Sequence, residues 1–141
     1  EHAGQQWSTL REKAGELLQE EADLQEIVQL VGMDSLPLEQ QLTLLVSRMV
    51  REDFLQQNAF HDEDTYCPLP KQAFILSAIF AFGERVQRMG EDVDIEELRK
   101  SDASQFIARI KYMENNRFTE KEIGGVQKEF DKALKALEAS Q

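Results

Sequence analysis

Residues 24–50 read LQEIVQLVGMDSLPLEQQLTLLVSRMV, and this stretch decides the fold. On its left, Leu24, Ile27, Val28 and Val31 recur at the three- and four-residue spacing of a helix face. Gly32 stands where a helix C-cap glycine belongs. After the short turn GMDSLP, Pro37 suits the first turn of a second helix, whose fixed φ it already satisfies. That helix carries its own stripe of Leu42, Leu45, Val46, Met49, Val50 and Phe54. Two amphipathic helices joined by about five residues pack side by side and antiparallel.

Working outward, the first stripe extends back through Leu18, Leu17, Ala14 and Leu10. Thr9 followed by Glu12 fits a capping box, so the first helix is expected over Thr9 to Val31. On the other side, residues 53–70 read DFLQQNAFHDEDTYCPLP. Polar and acidic residues crowd this stretch, and Pro68 and Pro70 block helix continuation, so it reads as a loop. A third helix is expected over residues 71–89, apolar nearly all round and therefore central, with Gly90 ending it. A fourth helical region opens at EDVDIEE, where Asp94 and Glu97 are spaced as a capping box, and carries Phe106, Ile107, Ile110 and Met113 on one stripe. NNRF interrupts it. Thr119 and Glu122 then cap a last helix that buries Ile123, Val126, Phe130, Ala133, Leu134 and Leu137; Gly124 and Gly125 weaken its first turns by roughly 1 kcal/mol each. No segment alternates with period two for the length of a strand. The fold class is all-α: one domain over 1–141, a bundle of about five or six helices that begins with an antiparallel hairpin.

Composition narrows the function classes. The chain has 141 residues, 41% of them apolar, enough for one core. Its net charge of −11 argues against unaided nucleic-acid binding and against docking on anionic lipid, both of which need clustered Lys and Arg. The longest apolar run, AFILSAIFAF at 73–82, is about half of a membrane span, so no direct membrane insertion is expected. A single cysteine, Cys67, permits no internal disulfide and fits a reducing compartment. The chain opens EHAGQQW without a methionine, which suggests a piece of something longer.

Few motifs carry chemistry on their own. His61, Asp62, Glu63, Asp64 and Cys67 cluster in sequence, but adjacent loop residues rarely converge on one ion, and the paired spacing of zinc ligands is missing. A calcium loop counted from Asp62 would want Gly and Glu where Cys67 and Ala73 stand. Cys67 with His61 lacks an orienting third group for a thiol nucleophile. GG at 124–125 lacks the Lys-Ser/Thr of a phosphate loop. No metal site and no catalytic residue are assigned. From the residues alone the chain is an acidic helical bundle, and a free-standing acidic protein-interaction module remains an alternative.

Two stretches are more specific. LREKAGELLQEEADLQEIV and, running on from it, LQEIVQLVGMDSLPLEQQLTLLVSRMVREDFLQQNAFHDEDTYCP at 24–68 resemble the C-terminal helical domain of the catalytic A subunit of V-type and archaeal-type rotary ATPases. FLQQNAFHDEDTYC is close to a signature of that subunit, and the non-catalytic B subunit lacks the QQNAF stretch. The related F-type β subunit is similar, with LGMDELSEEDKLT in place of VGMDSLPLEQQLT. The likeness fades beyond about residue 90.

The resemblance implies a division of labour. An upstream α/β domain of the same polypeptide would hold the phosphate loop, the general base and the magnesium site. The chain alone would therefore not hydrolyse ATP, although its parent, an ATP hydrolase or synthase coupled to proton or sodium translocation, would. Gln57, Asn58, Ala59 and Phe60 match the segment that closes on adenine, with Tyr66 a second aromatic candidate. An aromatic face stacks on a base and amides serve its polar edge. Met33, Asp34, Ser35, Leu36, Pro37, Leu38, Glu39 and Gln40 match the turn that faces the central rotor stalk. The F-type turn is acid-rich, whereas only Asp34 and Glu39 are acidic here, which favours a steric lever over an electrostatic grip. The implied partners are B subunits, the rotor stalk and the upstream domain of the same polypeptide. The implied ligand is ATP or ADP with magnesium in the parent complex, with none held tightly by this chain. The implied location is the cytoplasmic, peripheral part of a membrane-bound complex.

Overall fold

A computed structural model of the chain describes residues 2–55, 69–90 and 93–140, and every regular element among them is helical. Helix α1 spans His2–Val31 and ends at a 3-10 turn, Met33–Ser35. Helix α2 spans Leu38–Met49 and continues as a π-helical turn, Val50–Leu55. Helix α3 spans Leu69–Arg88, α4 Ile95–Lys100 and α5 Asp102–Ile110. A second 3-10 turn, Asn115–Phe118, leads to α6, Ile123–Ser140.

Helix α1 begins earlier than the Thr9 capping box implies. Thr9 is an interior residue; the preceding stretch holds no proline, and Ala3, Gln5 and Gln6 among it are good helix formers. One turn in, Trp7 packs its ring against Phe54, with centroids 5.9 Å apart. Three contacts set the direction of the first two helices. Trp7 near the start of α1 meets Phe54 beyond the end of α2. Further along, Glu21 pairs with Arg51. Leu24 packs with Leu36 and Leu44 near the turn. These pairings descend in one helix as they rise in the other, so α1 and α2 run antiparallel.

The turn between them depends on Gly32, whose φ of 87° and ψ of 158° lie in a region open only to glycine. Its N–H still donates to the Val28 carbonyl at 2.8 Å, closing the last turn of α1. Pro37 sits one residue before α2 rather than inside it, and its carbonyl accepts from the N–H groups of Gln40 and Gln41.

Helix α3 is the hub, touching α1, α2, the π turn, α5, α6 and the second 3-10 turn. Phe74, Ile75, Leu76, Ala78, Ile79, Phe82 and Val86 are all buried along it. Full burial of a large apolar side chain is worth about 1.5–3 kcal/mol. A Cβ on Gly83 would lie 3.2 Å from Val46 Cγ2, so that valine would have to give by a few tenths of an ångström. Pro70 falls within the first turn of α3, where a missing N–H is tolerated.

The expected fourth helix is two. Ser101 takes an extended conformation, donates its hydroxyl to the Leu98 carbonyl at 2.7 Å and accepts from the Ser104 N–H at 3.3 Å. It ends α4 and caps α5, a job serine does well. Asp94 caps α4 as expected, but it accepts from the Glu96 N–H. The Thr119 hydroxyl does not cap α6; it donates to the Asn116 carbonyl. Val126, Phe130, Leu134 and Leu137 do bury the inner face of α6.

Replacing Gly32 by Ala should lower unfolding stability by about 1–3 kcal/mol, since its backbone cannot relax without breaking the turn. Gly124→Ala, with nothing within 4 Å of the new methyl, should instead change it by less than about 1 kcal/mol and in the stabilising direction. Denaturant unfolding of both variants checks this. Equal effects would contradict the role given to Gly32.

Candidate functional site

Two places on the bundle combine unusual backbone with polar detail. One is the tip of the α1–α2 hairpin, residues 32–40. The other is the foot of the bundle, which holds Leu55 and Leu69, the described residues on either side of 56–68.

The tip is tied down by side chains reaching to backbone. Ser35 donates its hydroxyl to the Val31 carbonyl at 2.8 Å. Gln41 donates its amide to the Leu36 carbonyl at 2.9 Å. Leu36 is buried against Leu24 and Leu44, with Val28 beside them. It is therefore the peg that holds the tip. Met33, Asp34, Ser35, Pro37 and Glu39 are exposed or partly so, and Leu38 and Gln40 are half-buried.

The apolar stripe assigns Ile27 and Val31 to the buried face, but they are 42% and 55% exposed, and Leu30 is 85% exposed. Helix α1 outruns the core here, and only Leu24 and Val28 still face α2. The exposed surface of the tip accordingly sets an apolar strip, Leu30, Val31 and Met33, beside the polar Asp34, Ser35 and Glu39. An open groove of about 730 Å³ beside it is lined by Pro37, Leu42, Val86, Gln87, Val93 and Ile95, with Glu39 the one charged residue among the described lining residues.

At the foot, the backbone of Val50–Leu55 is wound as a π-helix, a form that is rare and frequent at functional sites. Its neighbours pin it from several sides. Arg51 donates Nε to both carboxylate oxygens of Glu21 at 2.9 Å, and that carboxylate is nearly buried. Lys111, just past α5, donates its ammonium to the Glu52 carbonyl at 3.0 Å. Across the foot, Lys71 in the first turn of α3 is fully buried. It donates to the carbonyls of Lys111 at 3.0 Å and Met113 at 2.7 Å and to Asn115 Oδ1 at 3.1 Å. Its ammonium also lies 5.6 Å from the centre of the Phe118 ring. Burying an ammonium is costly unless oxygens replace its water, and the carbonyls past the end of α5 supply them with the favourable end of that helix's dipole.

Gln57, Asn58, Ala59, Phe60 and Tyr66, and with them His61, Asp62, Glu63, Asp64 and Cys67, lie outside the described residues. Among the described residues no three His, Cys, Asp or Glu side chains gather in metal-binding reach. No helix among them is long and apolar enough to cross a membrane.

Residues 1–99, which include the hairpin and the hub helix, match the family model described as the C-terminal domain of V and A type ATP synthase. The chain belongs to this family. It is 46% identical over 138 residues to the A subunit of the A-type ATP synthase of Methanopyrus kandleri, covering 97% of this chain and 23% of that protein. It is 44% identical over 132 residues to a V-type ATP synthase alpha chain of Thermoanaerobacter pseudethanolicus, covering 93% and 22%. It is 49% identical over 106 residues to the A subunit of the A-type enzyme of Methanosarcina barkeri, covering 74% and 18%. The likeness thus runs well past residue 90, where the motifs stop. The chain spans less than a quarter of the length of these curated relatives.

In this V and A type domain the sequence motifs mark the tip and the segment 56–68, but they miss what frames that segment. Lys71 has one legible signal: a lysine in the first turn of an apolar helix runs against that helix's dipole. For Ile27, Leu30, Val31 and Met33 the signal is crowding, since apolar residues at 27, 28, 30, 31 and 33 exceed one helix face. The π turn leaves no signature in the stripe.

Asp53, inside the π turn, is half-buried, and burial pushes its carboxyl up to about 6 from an ordinary 3.8, with Lys111 opposing and Glu52 adding. The fold therefore binds this proton more tightly than the unfolded chain does. Stability should fall as pH rises from about 3.8 to about 6 and stay level above. Asp53→Asn, which mimics the neutral acid, should raise the unfolding midpoint at pH 7, and its advantage should shrink towards pH 4. An advantage independent of pH would show that Asp53 is not protonated in this way.

Proposed function

We propose that this chain is the base-side and rotor-side end of a catalytic A subunit in a rotary ATPase. The observation that carries the reading is its 46% identity, over nearly its full length, to the A subunit of an A-type ATP synthase. Phosphate binding, magnesium coordination and bond cleavage belong to the remainder of the polypeptide, so the chain by itself turns over no ATP. Its own sequence contains no G-x-x-x-x-G-K-[ST]. B subunits and a central stalk are its partners, and the complex that contains it works as the cytoplasmic, peripheral part of an ion-translocating machine.

Within this reading the two places have separate jobs. The segment between the two halves of the foot brings Gln57, Asn58, Ala59 and Phe60, with Tyr66, to the adenine. An aromatic ring and two amides are a chemically fitting set for a flat base with a polar edge. The tip, with Met33, Asp34, Ser35, Pro37, Leu38, Glu39 and Gln40 around the buried peg Leu36, meets the rotor. Its exposed Leu30, Val31 and Met33 support a steric contact over an ionic one. Helix α2 and the π turn connect the two, spanning roughly 25 Å at about 1.5 Å per residue. A packed interior transmits displacement over that distance because it compresses little.

Phe60→Ala in the complete protein, assembled in its complex, should weaken ATP binding by about tenfold, the loss of one aromatic stacking contact of roughly 1 kcal/mol or more. Titration with a fluorescent ATP analogue reads it. Unchanged affinity in a folded, assembled variant would remove Phe60 from the base pocket.

A further inference from the structure

Helix α6 packs Val126, Phe130, Leu134 and Leu137 into the core, against α3, α5 and the second 3-10 turn. Its opposite side is a ridge of exposed residues. Lys128, Lys132 and Lys135 stand on it, with Lys121 just ahead of the helix and Gly124 and Gly125 in its first turn. The three helical lysines fall within about 60° around the helix axis. Half of the chain's eight lysines thus occupy one ridge, in a chain of net charge −11.

Two features of this ridge weaken the helix without serving the fold. First, Lys128, Lys132 and Lys135 are four and three residues apart, where like charges repel. None of the four lysines forms an ion pair among the described residues. The nearby acids are engaged elsewhere: Glu129 accepts from Arg117 at 2.6 Å, and Asp131 from Gln127 at 3.0 Å. Second, Gly124 and Gly125 are poor helix formers. Neither has the positive φ that calls for glycine, and a Cβ on either would meet nothing within 4 Å. Alanine would fit the fold at both places. Glycines that serve nothing inside the molecule, on a ridge of unpaired like charges, leave room for a second backbone from outside.

We propose that the outer ridge of α6 docks an acidic helix of a neighbouring subunit. Its carboxylates meet Lys121, Lys128, Lys132 and Lys135, and its backbone comes closest at Gly124 and Gly125. The inference rests on the reading, given above, that the chain works inside an assembled complex. Charge complementarity selects the occupant. Carboxylates repeated every three or four residues on one helix match lysines repeated at that spacing on another. Glu129 on one flank and Asp131 on the other keep the positive strip narrow. A nucleic acid or an anionic membrane spreads its charge broadly and would meet those acids too. A single row of carboxylates avoids them.

The test uses the complete protein in its purified complex. A zero-length carbodiimide joins a lysine to a carboxylate in contact with it, and mass spectrometry of the digest reads the joined pairs. Lys128 and Lys132 should be joined to carboxylates three or four residues apart on a helix of another subunit. Lysines joined only within this chain, only to a second copy of it, or to nothing would overturn the proposal. Assembly is the second readout. Lys128→Glu combined with Lys132→Glu should weaken binding of the complete protein to its partner subunits by about tenfold or more at about 0.15 M salt. Lys128→Arg combined with Lys132→Arg should leave binding unchanged. Gly125→Leu should also weaken binding by about tenfold, with the melting temperature of the complete protein no lower than before. Unaltered binding in the Glu pair or in Gly125→Leu would overturn the docking surface, and so would an equal loss in the Arg pair. The unchanged protein separates the two levels. If it assembles and the variants match it, the ridge is wrong and the reading of the chain as part of a complex stands. If it assembles with no partner, that reading fails and the ridge fails with it.

Discussion

The structure depends on one constraint: α3 is apolar on nearly every side, so every side must be covered. Ile75, Leu76, Ile79 and Phe82 are all within 2% of complete burial. Helices α1, α2, α5 and α6, the π turn and the second 3-10 turn provide that cover. Removing a side chain such as Phe82 would cost about 3–5 kcal/mol, a large part of a domain's total stability. The single charge on the covered helix face is Lys71, and it is tolerated because the helix start brings it to the free carbonyls beyond α5. The same packing that builds the core thereby fixes the start of α3 against the end of α5.

The hairpin follows from this. Helices α1 and α2 cover one side of α3 and then continue past it. Beyond the core, Leu24, Leu36 and Leu44 form a small second cluster, and past that Leu30, Val31 and Met33 are exposed. A projecting tip with its own peg, a turn that only glycine can make, and side-chain hydrogen bonds to its carbonyls is a stiff object. Stiffness is what a part needs if it is to be pushed by one neighbour and felt by another. In this V and A type domain the far end of α2 is the π turn, Val50–Leu55, so α2 joins the tip directly to the foot.

Much of this is legible in the sequence. The three- and four-residue spacing of apolar residues locates the helices, and Gly32, Pro37, Gly90 and Asp94 mark their ends, because each of those residues has a local physical reason to stand at a boundary. What is not legible depends on tertiary choices. Thr9 can cap a helix, but Trp7 finding Phe54 carries α1 past it. Ser101 splits a helix that its stripe alone would continue. Leu36 turns inward and Ile27 and Val31 outward because the hairpin is longer than the core it covers, a matter of relative lengths that no local pattern encodes. The foot is the least legible. A π turn keeps the apolar composition of an α-helix, and the partners of Lys71 lie forty or more residues away in the chain. The proposal that Gln57, Asn58, Ala59 and Phe60 meet the base rests on the family motif alone.

The account's central claim is that the hairpin tip acts as a mechanical lever separate from the nucleotide site. The most direct measurement shortens it in the assembled complex, replacing residues 33–36 by a two-residue turn, and records ATP affinity, ATP hydrolysis and ion transport together. The lever predicts that ATP still binds and is still hydrolysed while ion transport per ATP falls sharply. Full transport per ATP with the tip removed would contradict it.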